Sequence, residues 1–209
     1  MKKYLNNFRR NIYINKNLFV FLLVIVIIGL LSGAIFSMII DTTDKKIVFD
    51  YLNDFFNNAR DGKLYFDNSL FNSLIFTLLF VVIIWFLGVS VIGFFIILFL
   101  LFLKAFVLGF SLGSIILNFK IKGILLSFLY VFPHQVVNVL IYMLVSAYAL
   151  IISFKVIRCF TTKKTLDFKG IMNRYTIVLL ISIFVLVISS VYEIYLLPHL
   201  FTLVFTFFK

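Results

Sequence analysis

The side chains most able to do unusual chemistry in this sequence are those that interrupt its longest apolar runs. A lysine stands within a run of Leu, Ile, Phe and Val, and the only glutamate lies near the end of another run. The stretch VFPHQVVN places a proline and three polar side chains between apolar neighbours. In lipid, such groups either line a path for an ion or solute or serve as structural hydrogen-bonding partners. The residues are Lys104, Pro133, His134, Gln135, Asn138 and Glu193.

The composition indicates which solvent surrounds these side chains. Hydrophobic residues make up 64% of the 209 residues and charged residues only 13%, whereas a soluble domain carries about 25% charged residues. Several apolar runs exceed the roughly 20 residues that a helix needs to cross a bilayer. We therefore predict an all-α, polytopic integral membrane protein. The net charge of +11 comes from basic residues beside these runs, where they contact lipid headgroups, so we expect no nucleic-acid binding.

The apolar runs predict about five transmembrane helices in one membrane domain. Gly88 and Gly93 frame the best break in the long apolar stretch, and Pro133 breaks the fourth helix, as a kink or as a re-entrant hairpin followed by a helix. The predicted segments are a basic N-terminus at 1–17, helices at 18–40, 70–87, 94–118, 123–157 and 175–197, an acidic segment at 41–69, a basic loop at 158–174 and an interfacial tail at 198–209.

Lys and Arg residues predict the orientation. Five crossings put both strongly basic segments, 1–17 and 158–174, on one side, and positively charged segments remain in the cytoplasm. The N-terminus is therefore predicted to be cytoplasmic and the C-terminus outside. Segment 41–69, which holds six of the eight acidic residues, is predicted to lie outside. The short basic link around Lys120 and Lys122 would also lie outside, against the rule.

Small residues recur at intervals of four on the first and third predicted helices. Such spacing makes a flat groove in which two helix backbones approach closely. We favour packing within one chain, and self-association into a homo-oligomer is the alternative. The residues are Gly29, Gly33 and Ser37 on the first helix, and Ala105, Gly109 and Gly113 on the third.

Lys104 lies roughly ten residues into its helix, near mid-bilayer at about 1.5 Å per residue. Inserting a lysine into the membrane costs about 3 kcal/mol. The apolar residues of the helix outweigh this cost, but the charge still needs a partner or a route to water. Pro133 and the polar residues after it are expected at a similar depth. We favour an architectural role for them, and the alternative is a small transporter or channel that uses Lys104, His134 and Asn138. Glu193 is expected to form a structural ion pair.

Segment 46–63, KIVFDYLNDFFNNARDGK, has apolar residues at helical spacing on one face and Asp and Asn on the other. This pattern predicts an amphipathic helix that ends at the Asp-Gly turn. Interfacial helices that bind anionic lipid are usually basic, whereas this one is acidic. It is either a surface anchor or a docking surface for another protein. The candidate contact residues are Tyr51, Leu52, Phe55 and Phe56.

Motifs for catalysis are missing from the sequence, which has no H-E-x-x-H, no phosphate-binding glycine loop and no nucleophile elbow. His134 and His199 are far apart, and Cys159 is the only cysteine, so no intramolecular disulfide can form. We predict no catalytic residues, no metal site and no cofactor.

The chain resembles the stage II sporulation protein M family of endospore-forming bacteria. The resemblance rests on YLNDFFNNARDGK, WFLGVSVIG, FLKAFVLGFSLG, GILLSFLYVFPHQVVN and VYEIYLLPHL. Relatives often carry P-H-G-x-x-E at the proline break, where this chain has Gln135 and Asn138. The departure argues against a charged role at that site.

The resemblance implies a function in the mother-cell membrane during engulfment of the forespore. Family members are thought to hold two wall-remodelling partners, stage II sporulation proteins D and P, at the septum. The partners rather than the family member cut peptidoglycan. The resemblance thus implies a scaffold, and segment Tyr51 to Phe56 is the expected contact.

Overall fold

A computed structural model describes residues 16–60, 68–90, 92–127, 132–162 and 168–207 of the chain. Nearly all of these residues are helical, and none of them lies in a β-strand. The helices are α1 (Lys16–Ile39), α2 (Thr42–Arg60), α3 (Asn68–Gly88), α4 (Gly93–Leu126), α5 (Phe132–Thr162) and α6 (Phe168–Phe207). The prediction of an all-α, polytopic membrane protein is confirmed.

Among the described residues, four helical segments are long and apolar enough to cross a bilayer: Lys16–Ile39, Gly93–Ile121, His134–Cys159 and Lys169–Tyr192. The apolar part of α3, Asn72–Gly88, is shorter. The number of crossings and their direction therefore stay predictions, and most of the N-terminal segment at 1–17 lies outside the described residues.

Helices α1 and α4 pack backbone against backbone through their small residues. A β-carbon at Gly29 would lie only 2.8 Å from the β-carbon of Ala105. One at Gly33 would overlap the carbonyl oxygen of Phe106, and one at Gly109 would overlap the backbone of α1. The groove of small residues thus joins two helices of the same chain, and the dense packing that it permits takes the place of hydrophobic burial in lipid.

The contacts also show that α1 and α4 run parallel. Gly29 lies beside Ala105, and two turns later Ser37 lies beside Gly113. Because both helices point the same way, the chain between them has to return to the level at which α1 begins. Helix α3 is the element that runs back.

The turn between α3 and α4 is held by side chains from α5 and α6. The Tyr175 hydroxyl donates a hydrogen bond to the carbonyl oxygen of Trp85 at 3.0 Å, and it fills the space where Gly88 lacks a side chain. The Ser153 hydroxyl donates to the carbonyl oxygen of Ser90, also at 3.0 Å. These bonds satisfy turn carbonyls that would otherwise lie in a low-dielectric interior.

The structure divides the helix predicted over 123–157. Lys120 has a left-handed φ of 52° and a ψ of −126°, which breaks α4. The following residues fold back, and Gly123 packs against the backbone of Ile115 and Ile116. The reversal falls in the short link predicted around Lys120 and Lys122, between the helices at 94–118 and 123–157. The left-handed conformation of Lys120 was not predicted, because lysine is not a residue type that signals it.

Both prolines lie within helices. Helix α5 begins at Phe132, so Pro133 stands in its first turn, where the missing N–H has no helical acceptor to lose. Helix α6 continues through Pro198 to Phe207, so the predicted interfacial tail is continuous with the last helix.

Candidate functional site

The amphipathic helix is present as α2 and is fixed to the end of α1. The Lys45 side chain donates a hydrogen bond to the carbonyl oxygen of Met38 at 2.8 Å, which satisfies one of the acceptors exposed at a helix C-terminus. The Phe49 ring stacks on Phe119 of α4, with ring centroids 6.2 Å apart. Helix α2 also contacts α6. It is therefore a packed element with a defined orientation.

The four predicted contact residues do not share one environment. Leu52 and Phe55 are partly buried and pack against the hydrophobic core. Tyr51 points away from the core and is 73% exposed. The side chain of Phe56 lies outside the described part of the structure. The packing thus gives α2 one face that contacts the bundle and one exposed face that contains Tyr51.

The exposed face of α2 combines two large apolar side chains with acidic and polar ones. Ile47 is 66% exposed and lies one turn before Tyr51. All five side chains of this face are exposed, and their spacing of three and four residues aligns them along the helix. We name this face the outer stripe, and it consists of Asp44, Ile47, Tyr51, Asp54 and Asn58.

Ile47 was not among the residues predicted from the sequence. The prediction placed Tyr51 beside Leu52 and Phe55 because all three are apolar and near one another on a helical wheel. The spacing of four residues between Ile47 and Tyr51 was the signal that could have identified the pair.

Lys104 faces two aromatic rings inside the bundle. Its Nζ atom lies 4.8 Å from the ring centroid of Phe80 on α3 and 5.7 Å from that of Tyr142 on α5. Such cation–π contacts contribute about 0.5–2 kcal/mol. Because His134 precedes Tyr142 by two helical turns, it lies about 12 Å away along α5. His134 is thus two turns along α5 from the residue that the Lys104 ammonium group contacts, and Asn138 is about one turn from it.

The polar residues at the start of α5 take part in its contact with α6. His134 and Asn138 are each 4% exposed. The His134 carbonyl oxygen accepts a hydrogen bond from the Ser189 hydroxyl at 3.4 Å, and Gln135 is half-buried. The Asn138 Oδ1 atom is buried and has no hydrogen-bond partner among the residues that the structure describes. These positions favour an architectural role for the polar break.

Glu193 belongs to α6, one turn beyond Ser189, and its side chain lies outside the described residues. Ser189 contacts His134, whereas Tyr175 of the same helix lies beside Ala149. Helix α6 therefore runs antiparallel to α5, and Glu193 is one turn farther than His134 from the level of Tyr142. Its backbone is about 18 Å along the bundle from that of Tyr142, which separates it from Lys104.

A family model described as "Stage II sporulation protein M" matches residues 18–198. The match extends from α1 through most of α6 and includes the outer stripe, Lys104 and the polar break. No curated protein and no solved structure matches the chain.

Proposed function

Because the chain belongs to the stage II sporulation protein M family, we propose that it is a non-catalytic scaffold of the engulfment machinery. It recruits peptidoglycan-remodelling enzymes to the mother-cell membrane at the sporulation septum. Its partners are stage II sporulation proteins D and P. The coarser statement, that the chain is a sporulation membrane protein, follows from the family and from the apolar helices.

The observation that carries this proposal is the outer stripe. Isolated exposed apolar side chains are common on soluble proteins, but Ile47 and Tyr51 stand together on an acidic helix whose other face is anchored to the bundle. Tyrosine is among the residues that most often dominate the energy of protein interfaces. Asp44 and Asp54 flank the pair and favour a partner surface with basic residues around an apolar centre.

The anchoring of α2 suits it to hold a partner in one position. Lys45, Phe49, Leu52 and Phe55 connect it to the bundle. A rigid binding element loses little conformational entropy when it binds. A scaffold that positions an enzyme at a membrane requires this property.

The proposal also needs α2 to face the peptidoglycan. Basic segments at both 1–17 and 158–174 favour a cytoplasmic N-terminus, which places the end of α1, and therefore α2, outside. The parallel course of α1 and α4 supports this arrangement, because it requires the chain to return through α3.

Cysteine labelling of intact protoplasts tests the orientation. An Asn58→Cys, Cys159→Ser variant should react with a membrane-impermeant maleimide added from outside, because residue 58 is exposed on α2. The unchanged chain, whose only cysteine is Cys159, should react only after the membrane is permeabilised. Labelling of Cys159 but not of residue 58 in intact protoplasts would place α2 in the cytoplasm and overturn the scaffold as proposed.

A further inference from the structure

Lys104 carries a charge near the middle of the apolar span Gly93–Ile121. Inserting a lysine at this depth costs about 3 kcal/mol, and the contacts with Phe80 and Tyr142 each return about 0.5–2 kcal/mol. The aromatic rings offset this cost in part or in full, but they do not neutralise the positive charge. A carboxylate at the same depth would neutralise the charge and accept hydrogen bonds from the ammonium group.

Among the side chains that the structure describes, the Lys104 ammonium group contacts aromatic rings and no carboxylate. Seven of the chain's eight acidic residues lie in segments 41–69 and 158–174, outside the apolar runs. The eighth is Glu193, whose backbone is about 18 Å along the bundle from that of Tyr142, the residue that Lys104 faces. The Glu193 backbone is thus about three helical turns along the bundle from the backbone of Tyr142.

The lysine also lies at the edge of the surface that faces lipid. Its side chain is half-buried, and one turn farther along α4 Val107 is 57% exposed. On α3, Phe76 and Ile83 lie one turn either side of Phe80 and are 68% and 48% exposed. A helix from another protein could therefore approach the ammonium group through lipid without disturbing the α1–α4 contact.

We propose that Lys104 docks a transmembrane helix of a partner protein that carries an Asp or Glu at mid-bilayer depth. The Lys104 ammonium group and the apolar surface beside it select an apolar helix with one carboxylate. This inference rests on the proposed scaffold role, for which it supplies a second contact within the membrane. The occupant is recognised by charge complementarity in a medium where a charge pair is little screened.

A designed guest helix tests the site without requiring the natural partner. The full chain is reconstituted in phosphatidylcholine vesicles with a single-span polyleucine helix that has one central Glu, or with a matched helix that has Gln. Association is measured at neutral pH by resonance energy transfer. The Glu helix should associate about tenfold more tightly, in line with polar contacts between membrane helices. Equal association of the Glu and Gln helices would overturn the proposal.

Variants of the chain show whether the preference depends on Lys104. Lys104→Met should abolish the preference for Glu, Lys104→Arg should keep it, and Lys120→Met, which changes an exposed lysine, should leave it unaltered. A preference that persists in Lys104→Met would contradict the assignment. If a Glu193→Gln variant bound the Glu helix and the unchanged chain did not, the result would show that Glu193 itself occupies the site at Lys104. Each of these results leaves the test of the outer stripe unaffected.

Discussion

Replacing Gly33 with leucine is expected to prevent the folded protein from accumulating in the membrane. The first added carbon would overlap the carbonyl oxygen of Phe106 and lie 2.8 Å from the backbone nitrogen of Phe110. Overpacking an interior usually costs 1–3 kcal/mol, and here the obstructing atoms belong to a helix backbone that cannot change rotamer. The loss should therefore reach at least about 3 kcal/mol, a large part of the roughly 5–15 kcal/mol that stabilises a typical protein.

The measurement is the amount of protein in isolated membranes, together with its thermal stability in detergent. Val24→Leu is the matched control, because Val24 lies on the same helix, is 44% exposed and gains a carbon on the lipid-facing side. The control should accumulate normally, and Gly33→Ala should fall between the two. A Gly33→Leu protein with the abundance and melting temperature of the unchanged chain would show that α1 and α4 do not pack as described.

Replacing Ile47 and Tyr51 together with lysine should abolish recovery of stage II sporulation proteins D and P with the scaffold. The double exchange removes both apolar side chains of the outer stripe and adds two positive charges beside Asp44 and Asp54. Truncating a single central aromatic residue of an interface commonly costs about 2 kcal/mol or more, so recovery should drop by at least about thirtyfold. Because both side chains point away from the core, the amount of protein in the membrane should not change.

Ile121→Lys provides the control for this prediction. Ile121 is 79% exposed and lies at the reversal after Lys120 on α4, so it is not part of the outer stripe. The control should recover both partners at the level of the unchanged chain. Normal recovery with the double variant would remove the outer stripe as the contact, whereas equal losses in variant and control would show a general effect of added charge.

Much of the fold was predictable because lipid leaves few alternatives to helices. Every backbone N–H and C=O group in a bilayer needs an internal partner, so the apolar runs had to be helical. The break between Gly88 and Gly93 corresponds to the turn between α3 and α4. The reversal at Lys120 lies in the link predicted around Lys120 and Lys122. Its left-handed backbone was not predictable, because that conformation depends on how the following residues pack against the end of α4.

The sequence predicted which segments hold the candidate sites, but it did not predict which side chains of those segments are exposed. The apolar and acidic pattern of α2 indicated an amphipathic helix, yet it did not show that Leu52 and Phe55 face the bundle while Tyr51 faces outward. The rotation of a helix depends on its neighbours, here α4 and α6. Likewise, counting residues placed Lys104 at the depth of His134. In the structure, the Lys104 ammonium group contacts Tyr142, which is two helical turns farther along α5.

Photocrosslinking from the outer stripe in sporulating cells tests the scaffold most directly. A photoreactive amino acid at position 51 replaces a side chain that is 73% exposed, so the probe should not disturb folding. Irradiation should join the chain to stage II sporulation protein D or P, and the same probe at position 121 should not. Capture of lipid alone, with normal amounts of the chain and of both enzymes, would contradict the scaffold and make α2 a surface anchor.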